Sequence, residues 1–293
     1  MSSNSTAGVS WAIPPPPPGM NYLAVIDESL PFLMIGATMG AVLFAMLLAL
    51  MFFSTPSMRL KPIFILNVIT VWLGIVYTIL CLDVLQVQTL RSPSVSQPPR
   101  MYIAYGVIES IIPLLADSVL LLRLVAVYPR QRTPRYVWLT VIGVPVVVKI
   151  GRFINVVFYW VYQVENINTI VESRGASMVL NVLPNIKIEW IIQVFDDLFS
   201  SGLFLWRVYT EGNFKLGREY HSLRILGFLV NQLFWISTYN FVFPVLLSLA
   251  QIIIYMINED KYYLIALYIE QVNFYFTIMG LVFATVWAAE GRW

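Results

Sequence analysis

Cysteine, histidine and charged residues are scarce in this chain of 293 residues. The single cysteine, Cys81, excludes an internal disulfide, and the single histidine, His221, leaves too few ligands for a histidine-based metal site. Charged residues make up 12% of the chain and hydrophobic residues 59%, a balance that is too apolar for a soluble domain. The net charge of +2 gives no indication of a nucleic-acid partner. We therefore expect neither a cofactor nor a nucleic acid to bind.

Long apolar runs are what the sequence has in abundance. The first, residues 31–53, contains no charged residue, and about 20 apolar residues are enough to cross a bilayer. Six more runs follow, at about 62–82, 101–127, 136–162, 187–209, 225–257 and 263–289. The sequence thus predicts an all-α membrane protein, a bundle of seven transmembrane helices over residues 31–289. A proline-containing tail, residues 1–30, precedes the bundle, and a very short tail, residues 290–293, follows it.

The basic residues are unevenly distributed between the two sides of this predicted bundle. If the N-terminus is outside, the outer loops contain Arg91, Arg100, Arg174 and Lys261. The inner side then contains Arg59, Lys61, Arg130, Arg132, Arg135, Arg207, Lys215, Arg218, Arg224 and Arg292. Because basic residues accumulate on the cytoplasmic side, the pattern predicts a multi-pass plasma-membrane protein with an extracellular N-terminus and a cytoplasmic C-terminus. A glycosylation sequon at Asn4 would lie on the extracellular tail.

Ionisable and amide side chains interrupt several of the apolar spans. Such a residue costs several kcal/mol when it faces lipid, so we expect most of them to face the bundle interior. Lys149 and Arg152 are the only bases that we expect deep in the bundle, and at least one should pair with a buried aspartate. The acids outnumber these bases, so a remaining acid is either protonated or reached by water or a cationic ligand. The alternative is a structural network without a ligand. The candidate ligand-binding residues are Glu109, Asp117, Lys149, Arg152, Gln193, Asp196, Asp197, Glu270 and Asn273.

Small residues and prolines mark other candidate positions. Gly36 and Gly40 share one face of the first span, where they predict either a dimer contact or close packing within the bundle. Pro62 is suited to the start of the second span, and Asn67, about one turn later, will need a polar partner. Pro244 predicts a kink in the sixth span, which is either a hinge or a static bend.

Several familiar classes are excluded by what the spans lack. The seventh span has no lysine that could bind retinal, which argues against a light-driven pump. The acidic-Arg-aromatic triplet and the Asn-Pro-x-x-Tyr motif of rhodopsin-like receptors are both missing. No catalytic or phosphate-binding motif is present, so we expect no enzyme.

Short segments do resemble one family. The sequence from Lys61 to Asn67 looks like the start of the second helix in the fungal alpha-factor-type pheromone receptors, the class D receptors. Gly36 and Gly40 are similar to the glycine motif of their first helix. The segment from Ser222 to Leu226, followed by Gln232, resembles the beginning of their sixth helix.

The end of the seventh span is also similar to that family, with differences. Trp287 stands at the family's tryptophan, but the stretch from Leu281 to Ala288 lacks the family's proline, and Ala284 replaces one of its two serines. The proline of the sixth span comes later than in the family, at Pro244, and the long Ser/Thr-rich inner tail is missing. The resemblance therefore implies an orphan fungal relative rather than a mating receptor.

This resemblance implies a seven-helix receptor that senses an extracellular peptide or small molecule between spans 3 and 7, and the first span offers a contact for a homodimer. Its expected contacts with a heterotrimeric G protein are Arg130, Arg132, Arg135, Lys215, Arg218 and Arg224. One alternative is a proton- or cation-coupled transporter that uses the intramembrane acids, and another is a structural membrane protein that does not signal. The absence of a clear internal repeat favours the receptor over the transporter.

Overall fold

A computed structural model describes residues 22–82, 99–131, 133–172, 184–216, 242–254, 256 and 260–290. The regular elements within these ranges are helices, which confirms the predicted all-α class. The seven longer helices are α1 (Tyr22–Phe52), α2 (Pro62–Leu80), α3 (Pro99–Val127), α4 (Arg135–Glu172), α5 (Pro184–Leu216), α6 (Val242–Ile254) and α7 (Asp260–Glu290). A one-turn helix, Pro56–Arg59, lies between α1 and α2.

Five of these helices contain an apolar stretch that is long enough to cross a membrane. These stretches are Ser29–Phe52, Pro62–Leu80, Ile103–Val127, Arg135–Ile167 and Ile265–Phe283, within α1 to α4 and α7. They indicate a multi-pass membrane protein. α5 is long enough to cross, but acidic residues interrupt its apolar sequence. α6 covers only a short part of the sixth predicted span, whose residues 225–241 lie outside the described ranges, so a total of seven spans stays a prediction.

Several helices are longer than the apolar runs from which they were predicted. α1 begins at Tyr22, so residues 22–30 of the predicted tail are helical, and Pro31 lies inside the helix. α4 continues to Glu172, ten residues past the predicted end at 162. Charged residues such as Asp27 end an apolar run, but they do not end a helix that continues beyond the hydrocarbon core into water. Hydropathy therefore located the apolar portions of these helices and missed the extensions.

Prolines occupy two kinds of position in the helices. Pro62 begins α2, as predicted, because the N–H group that it lacks would have no partner there. Pro113 and Pro145 lie inside α3 and α4, where each removes one backbone hydrogen bond. Pro244 lies in α6, two residues after the first described residue of that helix, and the preceding residues, 217–241, lie outside the described ranges. The kink expected at Pro244 therefore stays a prediction.

α3 occupies a central position among the described helices. It contacts α2, α4, α5 and α7, while α1 packs against α2 and α7. The apolar core between α1, α2 and α7 includes Leu43, Val71 and Ile278, all of them fully buried. By contrast, Phe158 on α4 and Phe283 on α7 are mostly exposed, as expected for side chains that face lipid. Polar side chains on α3 therefore have partners on four neighbouring helices.

The glycines of α1 pack inside the bundle. Gly40 lies directly against the side chain of Thr78 on α2, and a Cβ atom at Gly36 would lie 3.0 Å from Leu82 and 3.5 Å from Gln271. Both glycines are buried by residues of the same chain. The hypothesis that they form a dimer contact is corrected accordingly, because the face that a second chain would need is already covered by α2 and α7. Close packing within the bundle, the alternative that the sequence left open, is what the structure has.

Candidate functional site: three polar layers along α3

Three groups of polar side chains lie at different depths along α3, and we name them the Glu109 layer, the Asp117 layer and the Arg123 layer. An α-helix rises about 1.5 Å per residue, which places Asp117 about 12 Å from Glu109 and about 9 Å from Arg123 along the axis. Each layer recruits partners from different neighbours of α3. The layers therefore make separate contacts but share one helix.

The Asp117 layer is built around the fully buried guanidinium of Arg152. Arg152 on α4 donates through Nη1 to Asp117 on α3, and its Nε lies 2.7 Å from Oε1 of Glu189 on α5. The second oxygen of Glu189 accepts a hydrogen bond of 3.2 Å from Asn155. These contacts join three helices and confirm that a deep base pairs with a buried aspartate. A buried pair of this kind is maintained only when good geometry offsets the loss of hydration.

Lys149 completes the basic side of the same layer. Its Nζ lies 2.5 Å from Oδ2 of Asp196 on α5, and Nη1 of Arg152 lies 3.7 Å from that same oxygen. Ser200 donates a hydrogen bond of 3.3 Å to the other oxygen of Asp196. Because Lys149 and Arg152 are three residues apart on α4, they project from one face and reach neighbouring acids on α5.

The acids outnumber the bases in this layer. Asp197 lies near Asp117 and Arg152, while the ion pairs of both bases are made with other carboxyl groups. One donor group, Nη2 of Arg152, is buried and has no hydrogen-bond partner among the described residues. The carboxyl groups of the layer are those of Asp117, Glu189, Asp196 and Asp197. The layer therefore contains more carboxyl groups than basic groups, together with an unused donor.

The Glu109 layer is an acid held by two tyrosines. The hydroxyl groups of Tyr77 on α2 and Tyr105 on α3 are 2.7 Å apart, and they lie 3.3 Å and 3.2 Å from Oε1 of Glu109. The two rings stack with their centroids 4.9 Å apart, and Tyr77 also packs against Phe274 of α7 at 4.2 Å. Aromatic packing therefore fixes both hydroxyl groups in position to bind the carboxyl group.

Polar residues of α7 extend this layer towards α5 and α6. Trp190 on α5 and Gln251 on α6 both approach the carboxyl group of Glu270. One turn further along α7, Asn273 donates a hydrogen bond of 2.8 Å to Ser248 of α6. Gln193 lies half-buried on α5. The predicted ligand-binding residues Gln193, Glu270 and Asn273 thus lie on helices that surround Glu109. The two basic ones, Lys149 and Arg152, belong to the Asp117 layer.

The Arg123 layer joins α2, α3 and α7. Nη2 of Arg123 lies 2.7 Å from the carbonyl oxygen of Leu281 and 2.7 Å from Oγ1 of Thr285. Nδ2 of Asn67 on α2 lies 2.5 Å from the same Thr285 oxygen, which confirms that Asn67 needs a polar partner. Arg123 is only 9% exposed. The expectation that Lys149 and Arg152 are the only deep bases is therefore wrong. Arg123 is buried as well, and it forms hydrogen bonds to residues of the adjacent α7.

The predicted cytoplasmic contacts are less completely described. Arg130 lies over the ring of Trp138 at 5.7 Å, and Arg135 is exposed at the start of α4. Lys215 and Trp287 have backbone positions on α5 and α7. The remaining predicted residues, which are Asn4, Arg132, Arg218, Arg224 and Gln232, lie outside the described ranges.

Sequence reasoning missed several members of the three layers. Tyr77 and Tyr105 look like ordinary aromatic residues of an apolar helix, and no spacing links them to Glu109. Glu189 is not among the predicted ligand-binding residues, although it pairs with Arg152. Thr285 carried a usable signal, since it stands at one of the two serine positions in the class D pattern and keeps the hydroxyl group.

The described residues contain no group of three or more His, Cys, Asp or Glu side chains that could hold a metal ion. No model of a known protein family matches the chain. No curated protein matches it either.

Proposed function

We propose that this protein is a seven-helix receptor, related to the fungal class D receptors, that senses an extracellular ligand and signals through its basic cytoplasmic loops to a heterotrimeric G protein. The observation that carries the proposal is the bond from Arg123 to the backbone of α7, with Thr285 shared between Arg123 and Asn67. A receptor requires an element with two discrete arrangements at its signalling end. Hydrogen bonds between side chains of three helices can exchange partners. The Arg123 layer is therefore our candidate for the element that switches between two arrangements.

The position of this layer on α3 provides a route for the signal. Glu109 and Arg123 are on one helix, separated by about 21 Å along its axis. With the N-terminus outside, Glu109 lies towards the extracellular end of α3 and Arg123 towards the cytoplasmic end. A ligand that displaces Tyr77 or Tyr105 from Glu109 would shift or rotate α3 and strain the bonds between Arg123 and α7. The ligand is thus proposed to act at the Glu109 layer, and release of α7 is the response.

The experiment that tests this proposal releases the Arg123 layer without a ligand. Thr285→Val removes the oxygen that Arg123 and Asn67 share, while Thr277→Val removes a hydroxyl group that bonds only to its own helix, at Asn273. In a fungal host with a G-protein-linked reporter, Thr285→Val should raise ligand-independent reporter activity at equal expression, and the control should not. Basal activity that both variants leave at the wild-type level would refute the proposed lock.

A physical readout accompanies the cellular one. Spin labels at Val125 on α3 and Phe283 on α7, both of them exposed positions, report the separation of the two helices near the Arg123 layer. Thr285→Val should lengthen or broaden this distance in proteoliposomes, and Thr277→Val should leave it unchanged. An unchanged distance in both variants would mean that the layer is static.

A transporter is the second candidate, because the Asp117 layer buries several acids at mid-depth in the helices that surround it. Intramembrane acids are typical of proton and cation pathways. A carrier needs these acids to be reached from both sides in turn, whereas a receptor needs a pocket that opens only outward. Any homodimer of either kind would need a surface other than Gly36 and Gly40.

A further inference from the structure

We propose that the Glu109 layer binds a primary organic ammonium group, whose charge is balanced by Glu109 and Glu270 and one of whose N–H groups is accepted by the amide oxygen of Gln163. The inference rests on the proposed function, because it names the class of ligand that the receptor would sense at this layer. It concerns binding alone, so it is tested without any signalling partner.

The first argument is negative charge that no base balances in the part of the bundle that the structure describes. Glu109 and Glu270 lie within apolar spans, and both are partly exposed. The ion pairs between described residues all belong to the Asp117 layer, so neither of these two acids takes part in one. A carboxylate at membrane depth is costly without a cation or donors beside it. A cation from outside the chain would therefore bind favourably.

The two acids flank one aromatic cluster. The hydroxyl groups of Tyr77 and Tyr105 lie 3.3 Å and 3.2 Å from Oε1 of Glu109. Phe274 of α7 packs on the ring of Tyr77 at 4.2 Å. Glu270 precedes Phe274 by four residues, so it lies one turn away on the same face of α7. The carboxyl groups are thus carried on two helices that meet at the stacked tyrosines.

The second argument is independent of the acids and concerns acceptors that have no donor. Gln163 on α4 is 8% exposed, and its Oε1 is buried without a hydrogen-bond partner among the described residues. Asn273 on α7 is similar, since its Nδ2 donates to Ser248 while its Oδ1 is buried and unpaired within the described part of the chain. Buried acceptors are normally paired, so these oxygens suit a ligand that brings donors.

Glu109 lies between the tyrosines and Gln163 on the surface of α3. The amide of Gln163 lies against Gly106, where a Cβ atom would be 2.7 Å from its Nε2 and 2.8 Å from its Oε1. Around the axis of α3, Glu109 is about 40° from Tyr105 and about 60° from Gly106. Both tyrosine hydroxyl groups bind Oε1 of Glu109, which leaves Oε2 for another donor. The free oxygens of Glu109 and Gln163 therefore belong to one site.

This combination selects the chemistry of the ligand. Unbalanced carboxylates favour a cation, and unpaired acceptors favour N–H donors. A primary ammonium group supplies one positive charge and three such donors. By binding Glu109 it would compete with the hydroxyl groups of Tyr77 and Tyr105 for the carboxylate. That competition is the displacement of the tyrosines on which the proposed signalling route depends.

Thermal unfolding of the purified protein in detergent, titrated with methylammonium chloride, tests the proposal. Methylammonium is the probe because it fits wherever a larger primary amine can place its charged group. The unfolding midpoint should rise by about 2–4 °C as the site fills, since a ligand that binds only the folded state stabilises it. Equal concentrations of tetramethylammonium chloride and sodium chloride should give much smaller shifts, because neither cation carries an N–H donor.

Two variants separate the charge from the acceptor. Glu109→Gln should abolish the shift that is specific to methylammonium. Gln163→Met keeps the size of the side chain but removes the amide oxygen, so the apparent affinity for methylammonium should fall roughly tenfold. Glu165→Gln is the matched control, since it removes a carboxylate at an exposed position two residues from Gln163, and it should keep the wild-type shift.

Equal responses of the wild type to the three salts would overturn the proposal, and so would a methylammonium-specific shift that survives in Glu109→Gln. Should Glu109→Gln fail to fold, the comparison of salts in the wild type and in Gln163→Met decides the question. Neither failure would affect the proposed function, because the Thr285→Val test uses no ligand. Specific binding together with unchanged reporter activity in Thr285→Val would support the ammonium site and refute the lock.

Discussion

The side chain of Thr78 on α2 occupies the space that a Cβ atom on Gly40 of α1 would need. The methyl carbon of Thr78 makes the closest approach, while its hydroxyl group is bound to Tyr275 at 2.9 Å. The two helices meet this closely because position 40 has no side chain. This contact predicts that a side chain at position 40 would clash with the methyl carbon of Thr78.

Gly40→Ala should destabilise the protein by about 1–3 kcal/mol, since overpacking forces the helices apart. Thr78→Ser removes the obstructing methyl group and keeps the hydroxyl bond, so the double variant should recover much of the loss. Thermal unfolding in detergent measures both effects. Ala41→Leu, at an exposed position of the same helix, is the control and should be close to neutral. If the double variant is as unstable as Gly40→Ala, the methyl group is not the obstacle.

Arg152→Met should lower stability by about 3–5 kcal/mol, because it leaves the carboxylates of Asp117 and Glu189 buried without their base. Adding Asp117→Asn should restore part of that loss by removing one uncompensated charge. Unfolding midpoints of the single and double variants measure the coupling. Ile150→Met, at an exposed position on the same helix, should change stability by less than about 0.5 kcal/mol. Strict additivity of the two losses would contradict pairing between Arg152 and Asp117.

Tyr77→Phe should cost about 1–3 kcal/mol, because the ring stays in its stack while the hydroxyl group that faces Tyr105 and Glu109 is lost. Thermal unfolding again measures the change. Tyr136→Phe is a matched control, since Tyr136 is 75% exposed and its hydroxyl group can be hydrated. Equal effects from the two substitutions would show that the Glu109 layer contributes little to stability.

The predicted orientation is tested with epitope tags on intact cells. The loops assigned to the cytoplasm contain most of the basic residues. A tag after Met1 should therefore be accessible on intact cells, and a tag after Trp293 should be protected. Permeabilised cells should expose both tags, which controls for expression. Labelling of the C-terminal tag alone on intact cells would reverse the topology and remove the basis of the receptor proposal.

Receptor and carrier are distinguished by flux. We predict that proteoliposomes containing the protein take up no protons or cations above the level of empty liposomes. Orientation in the liposomes is checked by protease access to one terminus. Saturable uptake that is abolished by Asp117→Asn or Glu270→Gln would make the transporter the better interpretation.

The helices could be predicted from hydropathy, and the pairing of Lys149 and Arg152 with buried acids could be predicted from charge. Both follow from the cost of placing polar groups in hydrocarbon, which depends on residue type and is visible in a single sequence. The choice of partner did not follow, because Arg152 meets Asp117 and Glu189 through the packing of three helices. Pairings between separate helices depend on their rotation and tilt, and neither is encoded in a hydropathy pattern.

The Arg123 and Glu109 layers could not be predicted from the sequence either, for two different reasons. Arg123 stands near the predicted end of its span, where an arginine is usually taken to reach the membrane surface, yet it bonds to α7. The tyrosines of the Glu109 layer have no charge that would mark them, and their role appears only when α2 and α3 are adjacent. Asn67 was recognised as polar, but its partner, Thr285, is 218 positions away in sequence.

The burial of Cys81, with 2% of its surface exposed, has a practical consequence for biophysics. Maleimide and nitroxide reagents react with accessible thiols, so the native chain should be nearly silent to them while it is folded. Cysteines introduced at exposed positions such as Phe158 can then be labelled singly or in pairs without first replacing a native residue. Cys81 follows the last residue of α2, and Gln271 of α7 donates a hydrogen bond of 3.6 Å to its sulfur. Labelling at Cys81 would therefore report the separation of the end of α2 from α7 during unfolding.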